Sequence, residues 1–150
     1  MTNTVCDGGK ATFGWYAANV PTGTSSIITV LLTTCTETDS ALAAHLTLAT
    51  VLSASGTAEA SFGGYSRFVT SSGVTVSIAS HVVTFTIATN PNWPSAAGTQ
   101  NLIKLLVCYR PATASADTAI IPLGQYDFVG VTDGSNLTAQ VNASGLMAAS

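Results

Sequence analysis

The residues able to do acid–base, nucleophilic or metal chemistry are few in this chain. There are two histidines, His45 and His81, and three cysteines, Cys6, Cys35 and Cys108. The carboxylates are Asp7, Glu37, Asp39, Glu59, Asp117, Asp127 and Asp133. A Ser-His-Asp relay needs a nucleophile, a positioned imidazole and a carboxylate that orients it. Nothing like G-x-S-x-G surrounds any serine. His45 falls between Leu42 and Leu46 in a helical pattern, and His81 falls at a hairpin tip, which are ordinary structural places. Glu37 and Asp39 precede a helix start, where capping and the helix dipole account for acidic residues. Asp133 is followed by Gly134, a turn signal. Asp127 lies between Tyr126 and Phe128 and reads as a buried, hydrogen-bonded carboxylate. The cysteines have neither metal-ligand spacing nor the number of a disulfide framework. Cys35 and Cys108 read as free thiols in apolar strands, and Cys6 is open to an intermolecular bond. No D-x-D-x-D-G loop or phosphate-binding glycine loop occurs. The expectation is a protein that is not an enzyme, with no cofactor, no metal and no catalytic residue.

Composition narrows the partners. Charged residues make up 7% of the chain and hydrophobic ones 47%, against roughly 25% charged in an ordinary soluble domain. Ser and Thr outnumber the charged residues by more than three to one. Such a surface has little self-repulsion and suits a component of an assembly. The net charge is -3, and Lys10, Arg67, Lys104 and Arg110 are scattered. Phosphate binding needs cations gathered on one face, so nucleic acid is not an expected partner. No run of about 18 apolar residues exists to form a membrane helix. The first residues lack the basic-then-apolar pattern of a signal peptide, so none is expected.

The elements that must position these groups are mostly strands. Ser26 to Thr34 is β-branched and apolar, the signature of a strand buried on both faces. Leu102 to Cys108 is a second such run and its expected neighbour. Leu42, Leu46, Ala49 and Leu52 fall at helical spacing after Thr38-Asp39, predicting one helix over about 40–53. Tyr65 to Thr70 alternates as a short strand. Val74 to Ile87 alternates as a hairpin with one apolar and one Ser/Thr face. Ala119 to Leu123 reads as a short strand ended near Pro122, and Leu137, Ala139 and Val141 alternate inward. Together these predict one mainly β domain over residues 1–150. It is β-sandwich-like or a small barrel with one helix, and residues 1–20 form an extended N-terminal arm.

Aromatic residues are the remaining candidates for recognition. Trp93, between two prolines in a loop, is the first candidate interface anchor. Phe13, Trp15 and Tyr16 in the arm follow. A carbohydrate-binding module using Trp93 or Trp15 is an alternative on the same residues.

The sequence from Asn101 onward carries a further signal. It runs N-L-I-K-L-L-V-C-Y-R-P, a Ser/Ala/Asp loop, A-I-I-P-L, Tyr-Asp-Phe, then T-D-G-S-N-L-T-A-Q-V-N-A-S-G. Upstream, I-T-V-L-L-T-T precedes an acidic helix start and a Leu-rich segment ending in Gly-Tyr-x-Arg. This order resembles a family of small structural proteins of tailed bacteriophages, over roughly Ile27 to Ser150. It departs from that family at Phe62-Gly63-Gly64 and in having fewer acidic residues. The resemblance implies a virion component assembled in the bacterial host cytoplasm, with no catalytic residues to carry over. The role it implies is a capsid decoration (cement) protein on the major capsid protein lattice, self-associating as a homo-oligomer such as a trimer. A tail or head-tail junction component bound to a tail protein lattice is the alternative.

Overall fold

The structure is a computed structural model that describes residues 4–5, 24–79, 82–142 and 147–149. Phe13, Trp15, Tyr16, Cys6 and His81 lie outside the described residues, as does most of the expected arm. In chain order the strands are β1 Thr4–Val5, β2 Ser26–Thr34, β3 Ala58–Glu59, β4 Phe68–Thr70, β5 Val74–Ala79 and β6 Val82–Ile87. They continue with β7 Asn92–Trp93, β8 Asn101–Arg110, β9 Ile121–Val131, β10 Leu137–Thr138 and β11 Met147–Ala149. The helices are α1 Asp39–Ala43 and α2 Leu48–Ser53. The fold is mainly β, in open sheets without a closed barrel.

The main sheet runs β1-β9-β8-β2-β3, with β4 also paired to β2. All its pairs are antiparallel, and β2 lies against β8 from Ser26↔Arg110 to Leu32↔Lys104. The two apolar runs are thus the central pair, as their composition predicts. Alternation sends their side chains to opposite faces. Ile28, Val30, Leu32, Leu106 and Cys108 meet Leu42, Leu48 and Val51 of the helices on one face. Ile27, Leu31, Leu105, Val107 and Tyr109 meet Phe85 and Ile87 of β6 and Trp93 on the other. The small β11-β6-β5 sheet therefore packs over the main sheet as the second layer of a sandwich.

Two expectations are corrected. The single helix over 40–53 is two short helices. Thr47 takes an extended conformation (φ -135°, ψ 153°) and its hydroxyl accepts from the Thr50 amide, capping a new helix. The first amide of α2 is satisfied at long range, Leu48 N donating to Ile120 O at 2.8 Å. The break leaves Leu46 61% exposed while Leu48 and Val51 are buried. Pro122 does not end its strand: β9 runs on to Val131. Pro122 lies opposite Cys108, where the ladder register shifts. A bulge tolerates a residue with no amide hydrogen.

Candidate functional site

Polar chemistry gathers in three places, two ion-paired clusters and one histidine–carboxylate contact. Lys104 lies in the middle of β8 and is only 6% exposed. A buried ammonium needs counter-charges, and it has two. Nζ donates to Asp39 Oδ1 at 2.7 Å and to Asp127 Oδ1 at 3.0 Å. Burial works against the Lys104 charge, but the two carboxylates outweigh it and raise the pKa above the ordinary lysine value. Gln125, also buried, donates Nε2 to the Asp39 carbonyl at 2.7 Å and ties α1 to β9.

The second cluster sits at the opposite border of the sheet. Arg67 makes a two-pronged bond to Glu59, through Nε at 2.8 Å and Nη2 at 2.7 Å. The same guanidinium grips both oxygens of Asp117. Tyr65 completes the group: its hydroxyl donates to Glu59 Oε1 at 2.9 Å and accepts from Leu31 N at 3.2 Å. Burial pushes the Tyr65 phenol well above its usual range. Tyr65 thereby fills the interval on β2 between β3, which starts pairing at Leu32, and β4, which stops at Thr29. The third cluster is His45 Nε2 against Glu37 Oε2 at 2.9 Å. The first two clusters fasten loops and a helix to the sheet, and the third joins the two ends of the α1 segment.

The surface beside Lys104 is different in kind. A cleft of about 380 Å³ opens there, between the end of β2, the start of α1 and strands β8 and β9. Ile103, Val129 and Cys35 form its apolar walls, with the Lys104–Asp39–Asp127 group and Glu37, itself bonded to His45, among its polar lining. The ladder register shifts between Leu102 and Lys104. Leu102 joins the core with Leu105, while Ile103 and Lys104 both turn to the cleft. Such an irregularity re-aims side chains.

Beyond the cleft, β9 borders the sheet. Among the described residues its outer edge is paired only at Gly124 and Gln125, by β1. Val129 is 82% exposed and Val131 59%. Edge strands are usually blunted by charge, proline or cover. The stretch Phe128-Val129-Gly130-Val131 carries none of these in its own sequence.

Trp93, the first candidate anchor, is corrected. It is 2% exposed, donates Nε1 to Ser66 O at 2.8 Å and meets Phe68 edge-on. It lies in β7, opposite Leu137 of β10, and is part of the core, so it presents no face to a partner or a sugar. Cys108 is buried and Cys35 partly so, and neither is in a disulfide. Among the described residues no group of three or more His, Cys, Asp or Glu is placed to hold a metal ion. The ion pairs escape sequence reading because their partners lie 8, 23, 50 or 65 residues apart. A lysine inside the apolar run Leu102 to Cys108 is the one signal that could have flagged its cluster. No protein-family model, curated protein or solved structure matches the chain.

Proposed function

We propose that this chain is a non-catalytic structural protein of a bacteriophage particle, a decoration protein that binds the assembled head and stabilises it. The observation that carries the reading is the exposure of Val129 and Val131 on β9, in a chain with few charges. The sequence resemblance over Ile27 to Ser150 supplies the setting. Its charged groups Lys104, Arg67, Asp39, Glu59, Asp117 and Asp127 are engaged in fastening the fold. A binding protein of this sort acts by mass action: it adds stability to whichever state presents its full site, here the assembled shell.

The test is particle composition and stability. Purified virions should contain the chain in hundreds of copies, and heads made without it should lose their DNA at lower temperature. Adding the protein back should restore the wild-type temperature. A few tens of copies or fewer would move it to the tail or the head-tail junction, and absence from particles would overturn the virion reading.

A further inference from the structure

We infer that β5 is a self-association edge: two copies of this chain pair antiparallel through β5 about a two-fold axis and join their small sheets into one. Among the described residues β5 pairs with β6 alone, which leaves the main-chain groups along its other side unpaired. Sheets are usually blunted at their borders by short strands, charge, proline or bulges. The other border strands described here are short: β1 and β3 have two residues each, and β4 and β11 three. β5 has six. Its sequence, V-T-V-S-I-A, is rich in β-branched residues and holds no charge, proline or glycine. Its ladder with β6 runs from Val74↔Ile87 to Ala79↔Val82 without a bulge. A regular, uncharged border strand of this kind is a template for a further strand.

Charge and pattern both make the occupant a second copy of this chain. Residues 68–103 contain no Asp, Glu, Lys or Arg. The β5–β6 hairpin therefore meets its own copy without the like-charge opposition that selects against self-pairing, while a charged foreign strand finds no counter-charge in it. The pattern is also self-complementary. Residues directly opposite in an antiparallel pair share a face. A two-fold axis at Val76 sets Val76 opposite itself and Thr75 opposite Ser77 of the second copy. Val74 and Val76 pack against the core, whereas Thr75 and Ser77 are exposed. Core side thus continues into core side, and hydroxyl meets hydroxyl. The pairing uses the same edge of both chains, so it closes as a dimer and admits no third copy at β5. The inference goes beyond the decoration reading and does not rest on it.

The experiment is sedimentation equilibrium on the full-length protein at micromolar to millimolar concentration. Wild type should reach the dimer mass within that range. The double variant Thr75→Lys, Ser77→Lys sets lysine against lysine in both flanking pairs and should raise the dimer Kd at least about a hundredfold. Its urea midpoint should stay near that of wild type, because both positions are exposed. Mixing it with the double variant Thr75→Glu, Ser77→Glu should restore association to within about tenfold of wild type, as a heterodimer. Should the double-lysine variant fail to fold, Ser77→Lys alone carries the test: it brings two lysines to diagonal positions and should raise Kd about tenfold. A wild type that stays monomeric to millimolar concentration, lysine variants that associate like wild type, or a mixture that associates no better than its parts would overturn the inference. Particle composition keeps the two readings apart. A β5 dimer in solution with the chain absent from virions overturns the decoration reading alone, and a chain present on heads but monomeric in solution overturns this inference alone.

Discussion

At the scale of single residues, Arg67 is the side chain whose removal has the clearest consequence. It bridges Glu59, at the end of β3, and Asp117, in the β8–β9 connection. Neither is fully exposed, so Arg67→Met leaves two carboxylates without their cation in a half-desolvated place. The cost should be about 2 kcal/mol, between exposed pairs worth under about 1 and buried ones costing about 3–5 when broken. The effect is pH dependent with a definite sign. The Arg67 bond holds the Asp117 carboxyl below 3.8, against the opposing effect of burial. The unfolded chain therefore binds more protons around that pH, and the Asp117 contribution is present above it and lost as pH falls through the folded value. Urea unfolding of both proteins should show a stability gap that is constant above about pH 5 and narrows on acidification. A gap that does not change with pH would mean the loss is packing alone. This cluster was illegible in the sequence, because partners 8 and 50 residues apart leave no local pattern. Trp93 was misleading for a related reason: a loop tryptophan between prolines looks exposed until the core that receives it is known.

At the scale of elements, the turn after α2 depends on Gly56. Its φ is +75°, and a Cβ there would stand 2.3 Å from Thr36 Oγ1. That hydroxyl already donates to Ser55 O at 3.0 Å. Gly134 also has positive φ, +91°, but nothing stands within 4 Å of an added Cβ. Gly134→Ala should therefore cost only the backbone term, about 1 kcal/mol. Gly56→Ala should cost clearly more, since Thr36 must also move; equal losses in urea unfolding would show that Thr36 yields freely. Elements declared by strong periodicity were readable: β2, β8, the β5–β6 hairpin and the inward Leu137, Ala139 and Val141. Those decided by competition were not. Between Ala44 and Leu48, helical spacing lost to a threonine able to cap and to a carbonyl from Ile120. At β9, proline read as a terminator because the bulge that accommodates it depends on the partner strand.

At the scale of the whole molecule, the central pair β2–β8 has both faces covered, by helices on one side and by the small sheet and Trp93 on the other. Its ladder joins residues about eighty positions apart in sequence, so it forms only when most of the chain has assembled. Opening it should approach global unfolding. Amides of Val30, Leu31, Leu106 and Val107 should then be the slowest to exchange with deuterium, with a free energy close to that from urea unfolding. The β9 border has no such cover over Val129 and Val131, and its outward amides should exchange orders of magnitude faster. Stability is thereby concentrated at the centre, away from the exposed Val129 and Val131 at the border. Exchange measured on the protein bound to heads should show added protection at Asp127–Val131 and little change at the β2–β8 centre. Protection gained throughout the sheet, with none specific to β9, would mean that the shell stabilises the fold globally through some other surface.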